Sequence, residues 1–465
     1  MALLTDARSA APSLWHGLQL MVALAQQVQA GHTAPRVLIL TCGTQAAASS
    51  ASPTLGAAHG GVWGLARVLR LEHAAARVLS VDVTRGHDGS PWASGLAAQH
   101  ANAMGGAATD SRELEVVVGG GGMERRGACL RQASVVAAGQ RGLVGGVYVI
   151  TGGLGGLGLR AATLLVQSGA CRALLVSRSG RVVRDGQGLQ RSVELLGTAA
   201  QIVACDSAEL HDVTKLAELV TASGVLHAAG AGDKGLFVKL SAGDMARLQG
   251  PKAVGAWYIH CTGCSKPLES RILFSSVGSG FGNVGQASYA AANASLDGQA
   301  CVQRSGGLAA CSVQWPLVGG AGMGAAAAEW AKASSSRLSG MKAISLEQYA
   351  ACLGMVLTEI CGMGLAVQLA HDKEVHVLLA DLAEPTQPRF AELTDVAAVS
   401  VSKAVAIMSA GPRAEGAFMQ ALEELSPSER RTHMEAAVLR VVREVTGAPA
   451  ASLSAETPLM EAGID

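Results

Sequence analysis

Eight residues, TGGLGGLG at positions 151–158, narrow most sharply what this chain can fold into. They follow an apolar stretch (147–150) that reads as a strand. They precede a stretch of helical periodicity (157–167), and a second apolar strand follows at 173–177. Gly153, Gly155 and Gly158 supply G-x-G-x-x-G in the strand–turn–helix setting that a dinucleotide fingerprint requires. Glycine permits positive φ and close backbone approach. A helix N-terminus offers N–H donors and a positive dipole end to an anion. With 58 glycines among 465 residues, the spacing alone could arise by chance. The strand–helix–strand context is what selects an α/β fold. It makes Thr151, Gly153, Leu154, Gly155, Gly156, Leu157 and Gly158 the candidate pyrophosphate cradle.

The end of the second strand bears on which dinucleotide would bind. An acid there would hold the ribose hydroxyls of NAD, but this chain has Ser177-Arg178-Ser179. A guanidinium suits the 2′-phosphate of NADP; a solvated loop arginine is the plain alternative. Asp206, closing a third strand at 201–205, is either an acceptor for the adenine amino group or the N-cap of the next helix.

Further along, Tyr289 and Asn293 (YAAAN) lie one helical turn apart and so share a helix face. Ser276 ends an apolar strand at 271–275, where active-site residues of open α/β sheets gather. Lys252 precedes a helical stretch at 253–261. Ketone reduction needs an acid for the developing alkoxide and a polarising hydrogen bond. A phenol can be that acid if a nearby cation lowers its pKa from about 10. Taken singly, each residue has an ordinary reading: strand cap, core tyrosine, solvated charge.

With FSSVGSGFGNVGQASYAAANASLDG (274–298), these residues resemble the ketoreductase domain of modular polyketide synthases and of the related animal-type fatty acid synthases. In ordinary short-chain dehydrogenases the lysine follows the tyrosine by four residues. Here Asn293 holds that place and the lysine comes earlier, in PKAVGAW (251–257), an exchange that marks the megasynthase ketoreductases. The resemblance implies NADPH-dependent reduction of a β-ketoacyl thioester to the β-hydroxyacyl thioester. The substrate would ride on the phosphopantetheine arm of an acyl carrier protein, beside other domains of the same synthase. It implies a catalytic group of Lys252, Ser276, Tyr289 and Asn293. In it Tyr289 donates the proton, Ser276 binds the ketone, Lys252 acts on the phenol and the ribose, and Asn293 supports a water relay. It also implies cofactor contacts from Ala228, Ala229 and Gly230 in VLHAAG (225–230), and from Pro316 and Leu317 after a sixth strand at 309–314. Two family signatures of product stereochemistry depart. Gly232-Asp233-Lys234 keeps one acid where the family has an Asp pair, and Phe281 replaces the tryptophan eight residues before the tyrosine. The alternatives are a type I fatty acid synthase ketoreductase, a catalytically silent scaffold, and a free-standing reductase of small ketones.

The same resemblance implies two Rossmann-like subdomains of the short-chain dehydrogenase type, only the second with a nucleotide site. Residues 1–135 form the first, with strands at 37–41, 78–83 and 113–118 and a helix at 55–72. The turn after Thr41 (CGTQ) lacks close-approach glycines, and GVWGLARVLRLEH (61–73) matches the structural subdomain of the family. The family's first strand is not recognisable, so the amino terminus reads as truncated. Residues 14–28 read as an amphipathic helix, and the glycine run 119–122 with 123–146 as a crossing linker. The catalytic subdomain is expected at 143–384, with a substrate lid between Trp315 and Leu346 and a last strand at 375–379. Residues 385–424 are expected to be a linker. Residues 425–465, with a helix at 428–446 and the closing TPLMEAGID, resemble an incomplete acyl carrier domain that stops one residue before the modified serine.

Composition excludes other classes. Zero net charge and only 15% charged residues argue against a nucleic-acid binder, whose affinity comes from clustered Lys and Arg. No apolar run reaches the eighteen or so residues of a membrane span. Ten cysteines without framework spacing fit a reduced, cytoplasmic setting. Cys261 and Cys264 make a lone CxxC, read as structural, and no metal site is expected.

Overall fold

A computed structural model describes residues 2–4, 10–30, 36–42, 44, 59–85, 113–119, 122–127, 129–130, 145–182, 187–232, 235–263, 268–320, 343–359, 367–369 and 388–393. Strands and helices alternate along much of these, and the strands sort into two sheets. The first sheet has sequential order: β1 (Ala2–Leu4), β2 (Arg36–Cys42), β3 (Arg77–Arg85), β4 (Glu113–Gly119) and β5 (Gly122–Arg126). β1 to β4 run parallel, and β5 returns antiparallel to β4. At the end of β2, Thr41 Oγ1 donates to Asp82 at 2.7 Å and accepts from the Trp63 indole at 3.0 Å.

The second sheet holds β6 (Val147–Thr151), β7 (Arg172–Ser177), β8 (Ala200–Ala204), β9 (Gly224–His227), β10 (Ser270–Ser276), β11 (Ala310–Trp315) and β12 (Val367–Leu369). Its order is β12-β11-β10-β9-β6-β7-β8, and every pairing is parallel. Every residue of β9 and β11 is buried, as expected of strands covered on both faces by helices. The order reverses between β6 and β9. That switch point lies at the carboxyl ends of the two strands, the place where open α/β sheets bind ligands, and there Thr151 and His227 stand opposite each other.

The two halves share one compact unit, Met1–Asp395. One apolar cluster joins Leu18, Met21, Ile39 and Leu65 of the first half to Phe237, Met245, Ala287 and Ala290 of the second. Helix Gly60–Glu72 lies directly on helix Ala287–Ser305. A Cβ on Gly60 would fall 2.6 Å from the Ala294 carbonyl oxygen, and one on Gly64 only 2.4 Å from that of Ala290. Backbone therefore meets backbone, and the glycines are what let it. Gly64→Val is expected to cost about 3 kcal/mol by overpacking and to lower Tm by roughly 5–10 °C. Thermal denaturation of the full chain checks this; an unchanged Tm would mean the helices can part freely.

Several sequence expectations need correction. The first strand is present as Ala2–Leu4, too short for any periodicity to reveal. The glycine run at 119–122 joins two paired strands, Gly119 opposite Gly122, rather than opening a linker. A glycine pair between paired strand ends is a hairpin signal. Residues 388–393 are not linker: Phe390 and Leu393 are buried, and Phe390 stacks on Phe281 at 5.9 Å. The edge beside β11 is taken by Val367–Leu369, while the expected strand at 375–379 lies outside the described residues. Also outside them are most of the lid (321–342), Asp233, Lys234, Cys264 and the whole carrier-like segment 425–465. Among the described residues no helix is long and apolar enough to cross a membrane, and no cluster could hold a metal ion.

Candidate active site

The glycine turn leaves β6 and enters helix Gly156–Gln167. Gly152 has φ +66°, and a Cβ there would lie 2.7 Å from the Ala228 carbonyl. Side chains on Gly153 and Gly158 would collide with the backbone of Ile150 and Gly152, at 2.6 and 2.5 Å. The turn is thus folded tightly against β7 and the segment after β9. Gly155 is exposed and precedes a helix start with no side-chain cap, leaving that end for an anion. These residues fit a dinucleotide pyrophosphate. Gly152 escaped the sequence reading because it falls outside the three-glycine spacing, although the doubled Gly-Gly after Thr151 was a signal.

Arg178 follows β7 directly and is exposed, with Arg181 exposed three residues on. Ser177 Oγ turns inward instead, accepting from Gly180 N at 3.1 Å. Asp206 accepts from Ala208 N at 3.0 Å, an Asx-type turn. The next helix, Leu210–Leu219, is preceded by Glu209, so Asp206 is not its N-cap.

At this switch point, Thr151 Oγ1 and His227 Nδ1 are 2.7 Å apart. His227 Nε2 lies 2.9 Å from the Lys252 carbonyl oxygen, which can only accept. The proton is therefore on Nε2, and Nδ1 accepts from the threonine. Burial and the nearby Lys252 charge push His227 down to about 4, which keeps it neutral. Through it, β6, β9 and the lysine segment form one hydrogen-bonded set.

Lys252 does not precede its helix. It sits within a π-helical turn, Gly250–Val254, of the sort that often marks functional sites. Its stem passes over Gly230, where a Cβ would be 2.6 Å from Cε. Its ammonium donates to the Phe274 carbonyl at 2.8 Å and stands 5.8 Å from the Tyr289 ring centroid. Burial lowers it to about 8; Asp297 opposes that drop.

Ser276 closes β10 and caps the short helix Val277–Phe281, accepting from Gly278 N at 3.2 Å. Burial raises the Tyr289 phenol above its ordinary pKa, and hydrogen bonds to the Ser276 and Asn293 side chains draw it partly back. Lys252 is not among the groups that move it. Asn293 Nδ2 donates to the Tyr289 carbonyl at 2.8 Å, while its Oδ1 is buried with no partner. Lys252, Ser276, Tyr289 and Asn293, scattered over forty-two positions of sequence, thus meet in one place. Pro316 and Leu317 follow β11, and the Leu317 carbonyl accepts from Ile344 N at 2.8 Å.

The serine loop is fastened from outside. Arg67 Nη1 donates to the Ser279 carbonyl at 2.6 Å, and Arg389 Nη1 to the Gly280 carbonyl at 2.7 Å. Arg67 also grips Glu113 through Nε and Nη2 at 2.8 and 2.7 Å. Burial alone would raise the Glu113 carboxyl, but Arg67 and Arg70 overcome it and hold it at about 2. Neither arginine, nor Gly152, was anticipated as part of this surround.

The arrangement can bind a dinucleotide and present a protonated phenol beside a hydroxyl. Known proteins resemble the chain as follows. Residues 146–320 match the KR domain family. The chain is 31% identical over 329 residues to the spectinabilin polyketide synthase system protein NorB of Streptomyces orinoci, covering 69% of this chain and 14% of that protein. It is 39% identical over 198 residues to the 6-methylsalicylic acid synthase of Penicillium patulum, covering 39% of this chain and 11% of that protein. A solved structure described as A-type ketoreductases from a modular polyketide synthase superposes with TM-score 0.66 at 29% identity, covering 81% of this chain and 77% of that one. The chain thus spans only a small part of the curated synthases it matches. Residues 146–320 thus match the KR domain family, and the fold is similar to that of ketoreductases of modular polyketide synthases.

Proposed function

We propose that this chain reduces a β-ketoacyl thioester, carried on a phosphopantetheine arm, to the β-hydroxyacyl thioester with NADPH. The observation that carries this reading is the meeting of Lys252, Ser276, Tyr289 and Asn293 beside a glycine turn that excludes Cβ atoms. When bound, NADPH supplies the hydride. Ser276 hydrogen-bonds the ketone oxygen, and Tyr289 gives its phenolic proton to the alkoxide as charge develops. A phenol whose pKa is raised stays protonated at neutral pH, as a donor must. Lys252 holds positive charge next to the ring, and the unpaired Oδ1 of Asn293 is placed to accept from a water that returns the proton. The polyketide synthase relatives favour this substrate class over that of a fatty acid synthase.

NADPH preference is assigned to Arg178, exposed at the end of β7. A charge-assisted hydrogen bond to the 2′-phosphate is worth about 1.5–3 kcal/mol, or roughly tenfold and upward in binding. Arg178→Ala is therefore expected to raise the NADPH KM about tenfold and leave the NADH KM nearly unchanged. Steady-state kinetics with a β-ketoacyl thioester surrogate decide it. Equal use of both cofactors by the parent chain would remove the assignment.

A further inference from the structure

Two backbone segments meet beside the catalytic group. Residues 228–232 leave the carboxyl end of β9 and include Gly230, on which Lys252 lies; residues 235–237 come next among the described ones. Residues 282–286 lead into the helix carrying Tyr289. Residues 235–237 and 282–286 join at a parallel bridge, Gly235 to Gln286, with Gly235 N donating to the Gly285 carbonyl at 2.8 Å. Little side-chain burial holds the second segment: Val284 is 54% exposed, and both Gly282 and Gly285 have positive φ, at +77° and +74°. Its placement has to come from hydrogen bonds.

Those bonds converge on one carboxylate from the other half of the molecule. Glu72 ends helix Gly60–Glu72. Its Oε1 accepts from Gly285 N and its Oε2 from Phe237 N, each at 2.9 Å. One helix turn earlier the same helix presents Arg67, whose backbone lies 3.1 Å from where a Gly282 Cβ would sit. We propose that Glu72 is a positioning residue for ketone reduction. Its carboxylate clasps residues 235–237 to the 282–286 segment and so fixes the wall against which the keto substrate meets Ser276 and Tyr289. This rests on the reductase reading above. The glycine cradle packs against Ala228, directly after β9, but takes part in neither Glu72 bond.

Glu72→Gln tests it. The amide keeps one acceptor oxygen and turns an NH2 toward the other backbone N–H, so one of the two amides loses its partner. Loss of a hydrogen bond to a charged acceptor corresponds to roughly tenfold or more. In the full chain, hydrogen exchange at Gly285 or Phe237 is expected to quicken by about that factor. The KM for a β-ketoacyl thioester surrogate should rise roughly tenfold, with kcat and the NADPH Kd within about twofold. Unchanged exchange at both amides would overturn the clasp. A fall in Tm with the KM and the NADPH Kd rising together would overturn the positioning role in favour of a merely structural one. A parent chain that reduces no ketone would defeat the reductase reading instead, while the exchange measurement still decides whether Glu72 holds the two segments.

Discussion

Tyr289→Phe should lower ketone turnover by about three orders of magnitude, within the range for loss of a general acid. The phenyl ring keeps the shape, and only the hydroxyl beside Ser276 and Asn293 is lost. NADPH binding, followed by quenching of its fluorescence, should change by less than about twofold, because the cradle is built from residues 151–158 and no bond there involves the phenol. The separation of effects is the point. A variant that binds cofactor normally and turns over nothing identifies the acid. A variant with parental turnover would show that another group gives the proton.

Lys252→Met is expected to damage both functions, with turnover falling about a hundredfold or more and NADPH binding weakening. The methionine can follow the stem over Gly230 but cannot donate to the Phe274 carbonyl. The parent chain's pH dependence follows from the lysine's lowered pKa of about 8. Activity that needs the ammonium should decline as pH rises through about 8, and that decline should vanish in the variant. Stability moves the opposite way. Below about 8 the lysine is charged in both folded and unfolded chains, and burying the charge costs stability. Between about 8 and the ordinary 10.5 the unfolded chain binds more protons, so stability rises with pH across that window. Denaturant titrations at pH 7.5 and 9.5 should show the rise in the parent and not in Lys252→Met.

Much of the site was legible because its chemistry is written in short spacings. Gly153, Gly155 and Gly158 are fixed by what a turn between strand and helix allows, and Tyr289 and Asn293 by one helical turn. Most strands of the second sheet were legible as apolar runs, since parallel strands are buried on both faces. What escaped was small or non-local. Ala2–Leu4 and Val367–Leu369 are strands of three residues, defined by their partners rather than by any pattern. The π-turn at Lys252 has no sequence period. Glu72, Arg67 and Arg389 look like ordinary surface charges until the backbone amides and carbonyls they serve are brought up to them from far along the chain. The Phe281 position, read only as a departure from a signature, has a physical context in the stacked Phe390 and the Arg389 guanidinium 5.2 Å above its ring.

The backbone-level seat of helix Gly60–Glu72 on helix Ala287–Ser305 also sets a timetable. Glu72 and Gly285, which bond in the finished molecule, are 213 residues apart. At synthesis rates of roughly 5–20 residues per second, the earlier helix leaves the ribosome about 10–40 s before its partner is complete. Throughout that interval Gly60, Gly61 and Gly64 have nothing to rest against, and Leu65 and Leu69 lack part of the cover they finally share. Until the later helix arrives that face cannot be covered by it, and the nascent chain passes the wait with an apolar helix face open to chaperones or to a neighbouring chain.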